Sequence, residues 1–265
     1  MKKFWFILTA LVATCFLVAC SGSQGVSPKT IKEKKKIVVA TESEFAPFEF
    51  KSLVNGKDTL VGADIELAKA IGERLGVKVE FSVMSFDNVL ASVQSGKSDI
   101  AIAGISVTDE RKKVYDFSDS YYTSENVVIV KKDKVNDFTS ADSLAKQTVG
   151  TQKGSVQETV AKKQISKASV VSLASNGEMI NELKSGQLQA VVLEKAIAEG
   201  YISQNDDLTL ANFNLKSDGS DAYAVATRKG SDDLLKEINA VIKETKDSGQ
   251  FDQWLKEVST YKQSK

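Results

Sequence analysis

Strand and helix signals alternate along this chain in two similar rounds, and this alternation limits the fold more than any other feature. In the first round, apolar residues at helical spacing over 62–75 lie between strand-like runs at 37–40 and 77–83. A short helix near 89–93 then precedes an apolar strand at 99–103. Alternation of this kind is typical of an α/β domain with a largely parallel sheet.

The second round has the same order of elements. Strands are predicted at 148–151 and 169–173, a helix begins near residue 155, and another covers about 178–184. We therefore expect two α/β units of similar length, each built around its own sheet.

A local repeat relates the two rounds. Residues 93–102 and 183–192 each read as a helix end, a Ser-Gly cap, a short turn and a buried strand. A glycine after a helix is common for capping reasons alone, so the repeat matters mainly through what it aligns. It puts Gly104 and Glu194 at equivalent strand ends. Ligands bind beyond the carboxyl ends of strands in α/β sheets, so two facing units would place both residues in one cleft.

The C-terminal part predicts two amphipathic helices, over about 234–242 and 251–258, after a strand at 222–226. This tail has no third sheet to complete, so we expect it to pack back on the first unit. The chain would then cross between the units near 121–126 and 220–224, which predicts a two-strand hinge.

Composition excludes several classes of function. The chain has 265 residues, 42% of them hydrophobic, with 35 basic and 35 acidic side chains, as in a soluble globular protein with room for two modest domains. Zero net charge, without a basic run interleaved with aromatics in the body of the chain, argues against nucleic-acid binding. The absence of histidine removes the commonest general base and metal ligand, and we expect no cofactor and no metal.

The N-terminus reads as a lipoprotein signal peptide, residues 1–19. A basic start, an apolar run over 4–16 and the sequence Leu17-Val18-Ala19-Cys20 favour cleavage before Cys20, which would then carry a diacylglyceryl group. A transmembrane anchor is the alternative, but the apolar run is shorter than the roughly 18 residues that such a helix needs. Residues 20–36, rich in Ser, Gly, Pro and Lys, are expected to form a flexible tether.

Residues 101–111 read as a strand that runs into the first turn of a helix carrying an arginine. Gly104, the Ser106 hydroxyl, the free N–H groups of the helix start and the Arg111 guanidinium would meet at one place that suits a carboxylate. Thr108 is expected to be the helix N-cap. The alternative for Arg111 is an ion pair with an acidic residue of its own helix.

Several ordered motifs resemble the family 3 extracytoplasmic solute-binding proteins of ABC importers, nearest in pattern to glutamine-binding and lysine/arginine/ornithine-binding proteins. The resemblance covers essentially the whole chain after Ile37. It rests on the segments 39–42, 45–50, 62–65, 104–118 and 150–155.

The resemblance implies an α/β, periplasmic-binding-protein-like type II fold, with two lobes joined by a two-strand hinge and a ligand cleft between them. The expected bounds are 37–124 plus 222–265 for lobe 1 and 125–221 for lobe 2.

The resemblance also assigns residues to the two ends of an amino-acid ligand. Arg111 would clamp the α-carboxylate, helped by Ser106 and main-chain N–H groups. Glu194 would bind the ammonium group, although a carboxylate that opens a helix can also serve only the helix dipole. The family usually has Asp there. The main-chain and polar positions expected to line this part of the cleft are Ala103, Gly104, Gly154 and Ser155.

Three positions are expected to determine which amino-acid side chain the site accepts. Phe45 corresponds to a stacking aromatic, and Glu42 stands where relatives contact the distal end of the ligand. An acid beside an aromatic suits a cation, yet a carboxylate also accepts a hydrogen bond from an amide. Ala63 occupies a place where many relatives have an aromatic, which leaves one wall of the pocket open.

The function expected from this resemblance is that of a lipid-anchored binding protein on the outer face of a bacterial cell membrane. We expect the bacterium to be Gram-positive. It would capture a free amino acid, with arginine favoured and glutamine or another polar amino acid as the alternative. Its partners would be ABC permease subunits with a cytoplasmic ATPase, and it would act as a monomer without nucleic acid. An enzyme such as a dehydratase on the same fold and a sensor or adhesin domain are the rival classes.

Overall fold

The computed structural model describes residues 25–217 and 221–263, in which helices alternate with strands. The helices are α1 (Pro28–Lys34), α2 (Ala63–Leu75), α3 (Phe86–Gln94), α4 (Asp109–Lys112), α5 (Val156–Gln164), α6 (Asn176–Ser185), α7 (Lys195–Ser203), α8 (Asp232–Asp247) and α9 (Gln250–Val258), with 3₁₀ turns at Lys132–Lys134 and Ala141–Leu144. The strands are β1 (Lys36–Thr41), β2 (Glu44–Phe45), β3 (Glu49–Val54), β4 (Lys57–Val61), β5 (Lys78–Val83), β6 (Ile100–Ala101), β7 (Tyr115–Phe117), β8 (Tyr122–Thr123), β9 (Asn126–Lys131), β10 (Thr148–Gln152), β11 (Ser169–Leu173), β12 (Ala190–Glu194), β13 (Leu208–Leu215), β14 (Ala222–Tyr223) and β15 (Ala226–Arg228).

Two five-stranded sheets form the centres of two lobes. The first sheet has the order β5-β1-β6-β15-β7 and the second the order β11-β10-β12-β9-β13. We call the parts built on them the first and the second lobe. In each sheet the first three strands are parallel, and the fourth runs antiparallel to both of its neighbours. The predicted α/β class with largely parallel sheets is confirmed.

The reversed strand of each sheet is the one that enters from the hinge. β8 leads into β9 of the second sheet, and β14 leads into β15 of the first. β8 and β14 pair antiparallel, with Thr123 opposite Ala222 and Tyr122 opposite Tyr223. The two-strand hinge expected from the sequence is therefore present.

Apolar residues at helical spacing explain how the C-terminal helices pack on the first lobe. α8 buries one apolar face, and both α8 and α9 lie against α2 of the first lobe, as predicted for the C-terminal tail. Arg74 of α2 donates to Glu237 at 2.7 Å and to Glu244 at 2.9 Å, which fixes this contact from the solvent side. The Phe251 ring lies 5.4 Å from that of Tyr121 beside the hinge.

Side-chain caps set where the helices next to the cleft begin. The Thr108 hydroxyl accepts from the backbone N–H of Arg111 at 3.1 Å, which confirms the predicted N-cap of α4. Ser155 and Ser175 cap α5 and α6 in the same way. The caps at Thr108 and Ser155 place the first turns of α4 and α5 at the edge of the cleft.

The expected flexible tether over 20–36 is wrong for its described part, residues 25–36. Ser27 and Thr30 form a capping box with Pro28 in the first turn, and together they start α1. Ile31 is fully buried in the core, and the N–H of Val26 donates to the Ser231 hydroxyl at 2.8 Å. A single buried isoleucine on a short capped helix has no periodicity for a sequence pattern to detect. The predicted signal peptide and Cys20 lie outside the described residues.

Nowhere in 25–217 or 221–263 does a helix combine the length and the apolar character that crossing a bilayer requires.

Candidate functional site

The cleft lies where the carboxyl ends of parallel strands from the two sheets face each other. Glu42 follows β1, while Gln152 ends β10. The Gln152 amide nitrogen donates to both carboxylate oxygens of Glu42, at 3.2 and 3.0 Å, and both side chains are buried. A direct bond from one lobe to the other across the cleft means that the lobes are in a closed arrangement.

Arg111 forms a second link across the cleft. Its Nη1 donates to the Ser106 carbonyl at 2.7 Å, and its Nη2 donates to the Gly154 carbonyl of the second lobe at 3.1 Å. Its guanidinium carbon also lies 5.8 Å from the centre of the Phe86 ring. Burial lowers the pKa of Arg111 to about 10, so it stays charged at neutral pH. Within the described ranges, no carboxylate forms an ion pair with it. Of the two acids of its own helix, Asp109 and Glu110, the first pairs with Lys112 instead.

Gly104 occupies a position that no other residue fits without strain. It has φ +52°, and a Cβ there would lie 2.5 Å from Cε1 of Phe45. Its N–H donates to Asp64 at 3.1 Å, and the Tyr121 hydroxyl donates to the same carboxylate oxygen at 2.8 Å. Asp64 thus joins the strand end at the ligand cleft to the hinge, and this N–H of Gly104 is already bound.

Replacing Gly104 with alanine is expected to lower the free energy of unfolding through two effects. Left-handed backbone strain costs about 1–2 kcal/mol, and overpacking against Phe45 adds about 1–3 kcal/mol. Gly56 is the matched control, because it also has a positive φ, +75°, but has open space around its Cβ position. Denaturant unfolding of both variants would separate the effects, and equal losses would contradict the packing role of Gly104.

Glu194 lies at the end of β12 and opens α7, buried against polar groups. It pairs in register with Asn126, whose side-chain oxygen accepts from the Gln157 amide at 2.8 Å. Burial raises the pKa of Glu194 to about 7, opposed by its own backbone N–H, by Gln157 and Tyr223 and by the charge of Arg111. The carboxyl group thus stands in a low-dielectric site that favours an added positive charge.

Gly154 and Ser155 lie at the rim of the cleft. The Ser155 hydroxyl donates to the Gln152 carbonyl at 2.7 Å and accepts from the N–H of Glu158, so it holds the β10–α5 corner in shape. The Gly154 N–H donates to the Glu158 carboxylate at 2.8 Å. A cavity of about 630 Å³ opens here, lined among others by Arg111, Gly154 and Ser155.

The remaining predicted positions, Phe45, Ala63 and Ala103, are buried in the first lobe. Phe45 is buried, with its ring centre 5.9 Å from that of Phe48 and 6.3 Å from that of Tyr223. Ala63 and Ala103 are also fully buried. The first of them begins α2, and its N–H donates to the Pro47 carbonyl at 3.1 Å. Of these three, Phe45 lies against Gly104, whereas Ala63 and Ala103 belong to the apolar core of the first lobe, and their contact with a ligand stays a prediction.

Buried carboxyl groups outnumber buried cations at this cleft. Burial raises the pKa of Glu42 to about 8, and that of Asp64 to about 6. It also raises the pKa of Glu49 well above its usual range, with the neighbouring charge of Asp64 adding to the effect. Burial therefore favours the protonated form of Glu42, and a cation bound beside it would favour the ionised form instead.

Sequence reasoning missed several polar residues of the site. Gln152, Gln157, Asp64, Glu49 and Tyr223 lie close to the predicted residues. The signal for Gln152 was present, because it ends a buried strand at the sheet edge where ligands bind. Glu49 and Asp64 lie in the segments 45–50 and 62–65 that carry the resemblance, whereas Gln157 and Tyr223 have no such signal.

Nothing in the described ranges resembles a metal centre. Groups of three or more His, Cys, Asp or Glu side chains arranged to hold a metal ion do not occur among those residues. The acids of the cleft are spread over separate elements and bind amides and backbone N–H groups instead. A charged organic ligand suits this arrangement better.

Comparison with known proteins agrees with this geometry. Residues 37–258 match the model of the bacterial extracellular solute-binding proteins, family 3. The arginine-binding extracellular protein ArtP of Bacillus subtilis is 34% identical, with 97% of each chain covered. The glutamine-binding protein GlnH of an ABC transporter of Bacillus subtilis is 32% identical over 97% of this chain and 98% of its own.

A solved structure is similar over most of the chain. The amino acid ABC transporter substrate-binding protein AbpA of Streptococcus pneumoniae, bound to L-arginine, is 49% identical with a TM-score of 0.86. The match covers 89% of this chain and all of AbpA. These relatives are transport proteins rather than enzymes, and the family is extracellular. The matched family model, the fold and the relatives together show that the chain belongs to the bacterial extracellular solute-binding proteins, family 3.

Proposed function

We propose that this protein captures a cationic amino acid, arginine by preference, in the closed cleft and delivers it to the permease of an ABC importer. One observation carries the proposal. A charged arginine without an acidic partner among the described residues, Arg111, lies in the same cleft as two buried carboxyl groups, Glu42 and Glu194. Such a cleft matches a ligand that has a carboxylate at one end and two positive charges.

The role of each residue follows from this match. Arg111 binds the α-carboxylate, because its planar fork suits two carboxylate oxygens, and Ser106 and Ser155 contribute polar contacts nearby. Glu194 binds the ammonium group. Phe45 lies along the aliphatic part of the ligand side chain, and Glu42 binds its distal group.

Charge balance supports a cationic side chain over a neutral one. The α-ammonium of any amino acid compensates Glu194, but only a cationic side chain also compensates Glu42. Because Glu42 already accepts two contacts from the Gln152 amide, a glutamine side chain could use the same oxygens. Glutamine is therefore the second candidate ligand. The similar proteins described above include an arginine-binding protein and a glutamine-binding protein.

The route to the membrane is part of the proposal. Residues 1–19 serve as a signal peptide, and Cys20 carries the lipid anchor on the outer face of the membrane, in a Gram-positive cell. The mature monomer then meets permease subunits that a cytoplasmic ATPase drives. Residues 37–124 plus 222–265 act as one lobe and 125–221 as the other.

A thermal-shift panel of the amino acids tests the ligand class directly. Arginine at about 1,000 times its dissociation constant would stabilise the folded state by about 4 kcal/mol. For a domain of this size, that raises the melting temperature by roughly 10 °C. We expect the largest rise with arginine and a smaller one with glutamine. A panel in which no amino acid raises the melting temperature would overturn the proposal.

A further inference from the structure

Outside the ligand cleft, one acidic side chain of the first lobe is bound to the start of a helix in the second lobe. Glu44 lies in β2, and its carboxylate accepts from the backbone N–H of Gly177 at 3.0 Å and from the Ser175 hydroxyl. Ser175 is the N-cap of the ten-residue α6. Glu44 therefore supplies a negative charge at the positive end of a helix that belongs to the other lobe.

A third hydrogen bond holds the same residue from the second lobe. The Tyr201 hydroxyl of α7 donates to the backbone carbonyl of Glu44 at 3.1 Å. Ser175 in turn accepts from the N–H of Glu178, so its hydroxyl connects Glu44 to the first turn of α6. All three hydrogen bonds to Glu44 thus cross between the lobes, and separating the lobes would break them.

We propose that Glu44 is a positioning residue for ligand binding, which raises the affinity by stabilising the closed arrangement through Ser175 and Gly177 of the second lobe. The inference rests on the proposed function, because it presupposes a ligand that binds to the closed cleft. Apparent affinity falls as the closed state becomes less populated. A bond made only in that state therefore adds to ligand binding without touching the ligand.

The test compares two variants of Glu44 with the unchanged protein in arginine titrations. Glu44→Ala is expected to raise the dissociation constant about tenfold, since it removes hydrogen bonds to a charged group. The increase should come from faster dissociation at a nearly unchanged association rate. Glu44→Gln, which keeps an acceptor oxygen, should restore part of the affinity. The matched control is Glu178→Ala, which removes an exposed acid from the first turn of α6 but no bond between the lobes.

Glu44 also lies close enough to Glu42 for its charge to raise the pKa of Glu42. The test must therefore separate this effect of charge on the ligand pocket from the loss of the hydrogen bonds between the lobes. A double-mutant cycle with Ser175→Ala does this, because Ser175 is neutral and lies on the other lobe. If both residues act through one contact, the double variant should bind arginine with the same affinity as the single variant that binds it less tightly. Strictly additive effects, or a changed ratio of arginine to glutamine affinity, would overturn the positioning role of Glu44.

The outcomes also distinguish the two proposals. If the unchanged protein binds no amino acid, the proposed function fails. If it binds arginine and Glu44→Ala binds equally well, the proposed function stands and the positioning role of Glu44 is wrong.

Discussion

Replacing Arg111 with alanine is expected to weaken binding of any α-amino acid by about 100-fold or more. Truncating one partner of a buried, hydrogen-bonded charge pair costs about 2–5 kcal/mol, and 2.8 kcal/mol corresponds to about 100-fold. The variant also loses the bonds to the Ser106 and Gly154 carbonyls, which are 2.7 and 3.1 Å long. Isothermal titration with arginine and with glutamine measures the effect.

Two controls separate the carboxylate contact from a general loss of structure. Arg74→Ala removes an arginine whose partners, Glu237 and Glu244, lie on the outer face of the first lobe, and it should leave the affinity unchanged. Arg111→Lys keeps the charge but loses the planar fork, so it should bind with intermediate affinity. Undiminished affinity in Arg111→Ala would contradict the role of Arg111 at the carboxylate.

Replacing Glu42 with glutamine is expected to reduce the preference for arginine over glutamine. Loss of a buried charge partner for the guanidinium should weaken arginine binding by about 2 kcal/mol or more, which is about 30-fold. Glutamine, which brings no positive side chain, should bind as well as before or better. Glu80→Gln, an exposed acid that pairs with Lys36, is the control for a general change of charge.

The same residue predicts how selectivity depends on pH. In the closed cleft without a compensating cation, the pKa of Glu42 is raised to about 8, above its usual value of 4.5. Closing on glutamine therefore takes up a proton, and this state becomes less stable as the pH rises from 4.5 towards 8. Closing on arginine leaves Glu42 ionised, so the affinity for arginine changes little with pH through this residue.

The ratio of arginine to glutamine affinity should accordingly rise across this pH window and level off above about pH 8. The ammonium group is common to both ligands, so Glu194 cancels from the ratio. In Glu42→Gln the ratio should be nearly independent of pH. If this ratio did not change with pH in the unchanged protein, Glu42 would not be the residue that distinguishes the two ligand side chains.

Local rules predicted the parts of this protein that local chemistry controls. Thr108 precedes an acidic first turn and caps α4 as expected. The apolar runs at β1 and β12 are buried central strands because parallel strands need both faces covered. The repeat that aligned Gly104 with Glu194 placed both at strand ends because the two sheets share one order of strands.

Contacts between distant segments account for only part of what sequence reasoning missed. β2, β3 and β4 form a small antiparallel sheet, and the Asn55-Gly56 turn between β3 and β4 is a local hairpin signal that the sequence analysis did not use. The fully buried Glu49 lies in this sheet, and no pattern distinguishes this acid from an exposed one. Its surroundings come from α2, which follows later in the chain.

The reversed strands of the two sheets also bear on how the chain is completed during synthesis. All strands of the second sheet lie within 126–215, one continuous stretch of sequence. The first sheet needs Ala226–Arg228, which fills the position between β6 and β7. A ribosome therefore releases every strand of the second sheet before the last strand of the first. The lobe that begins first in the sequence is the one whose sheet is finished last.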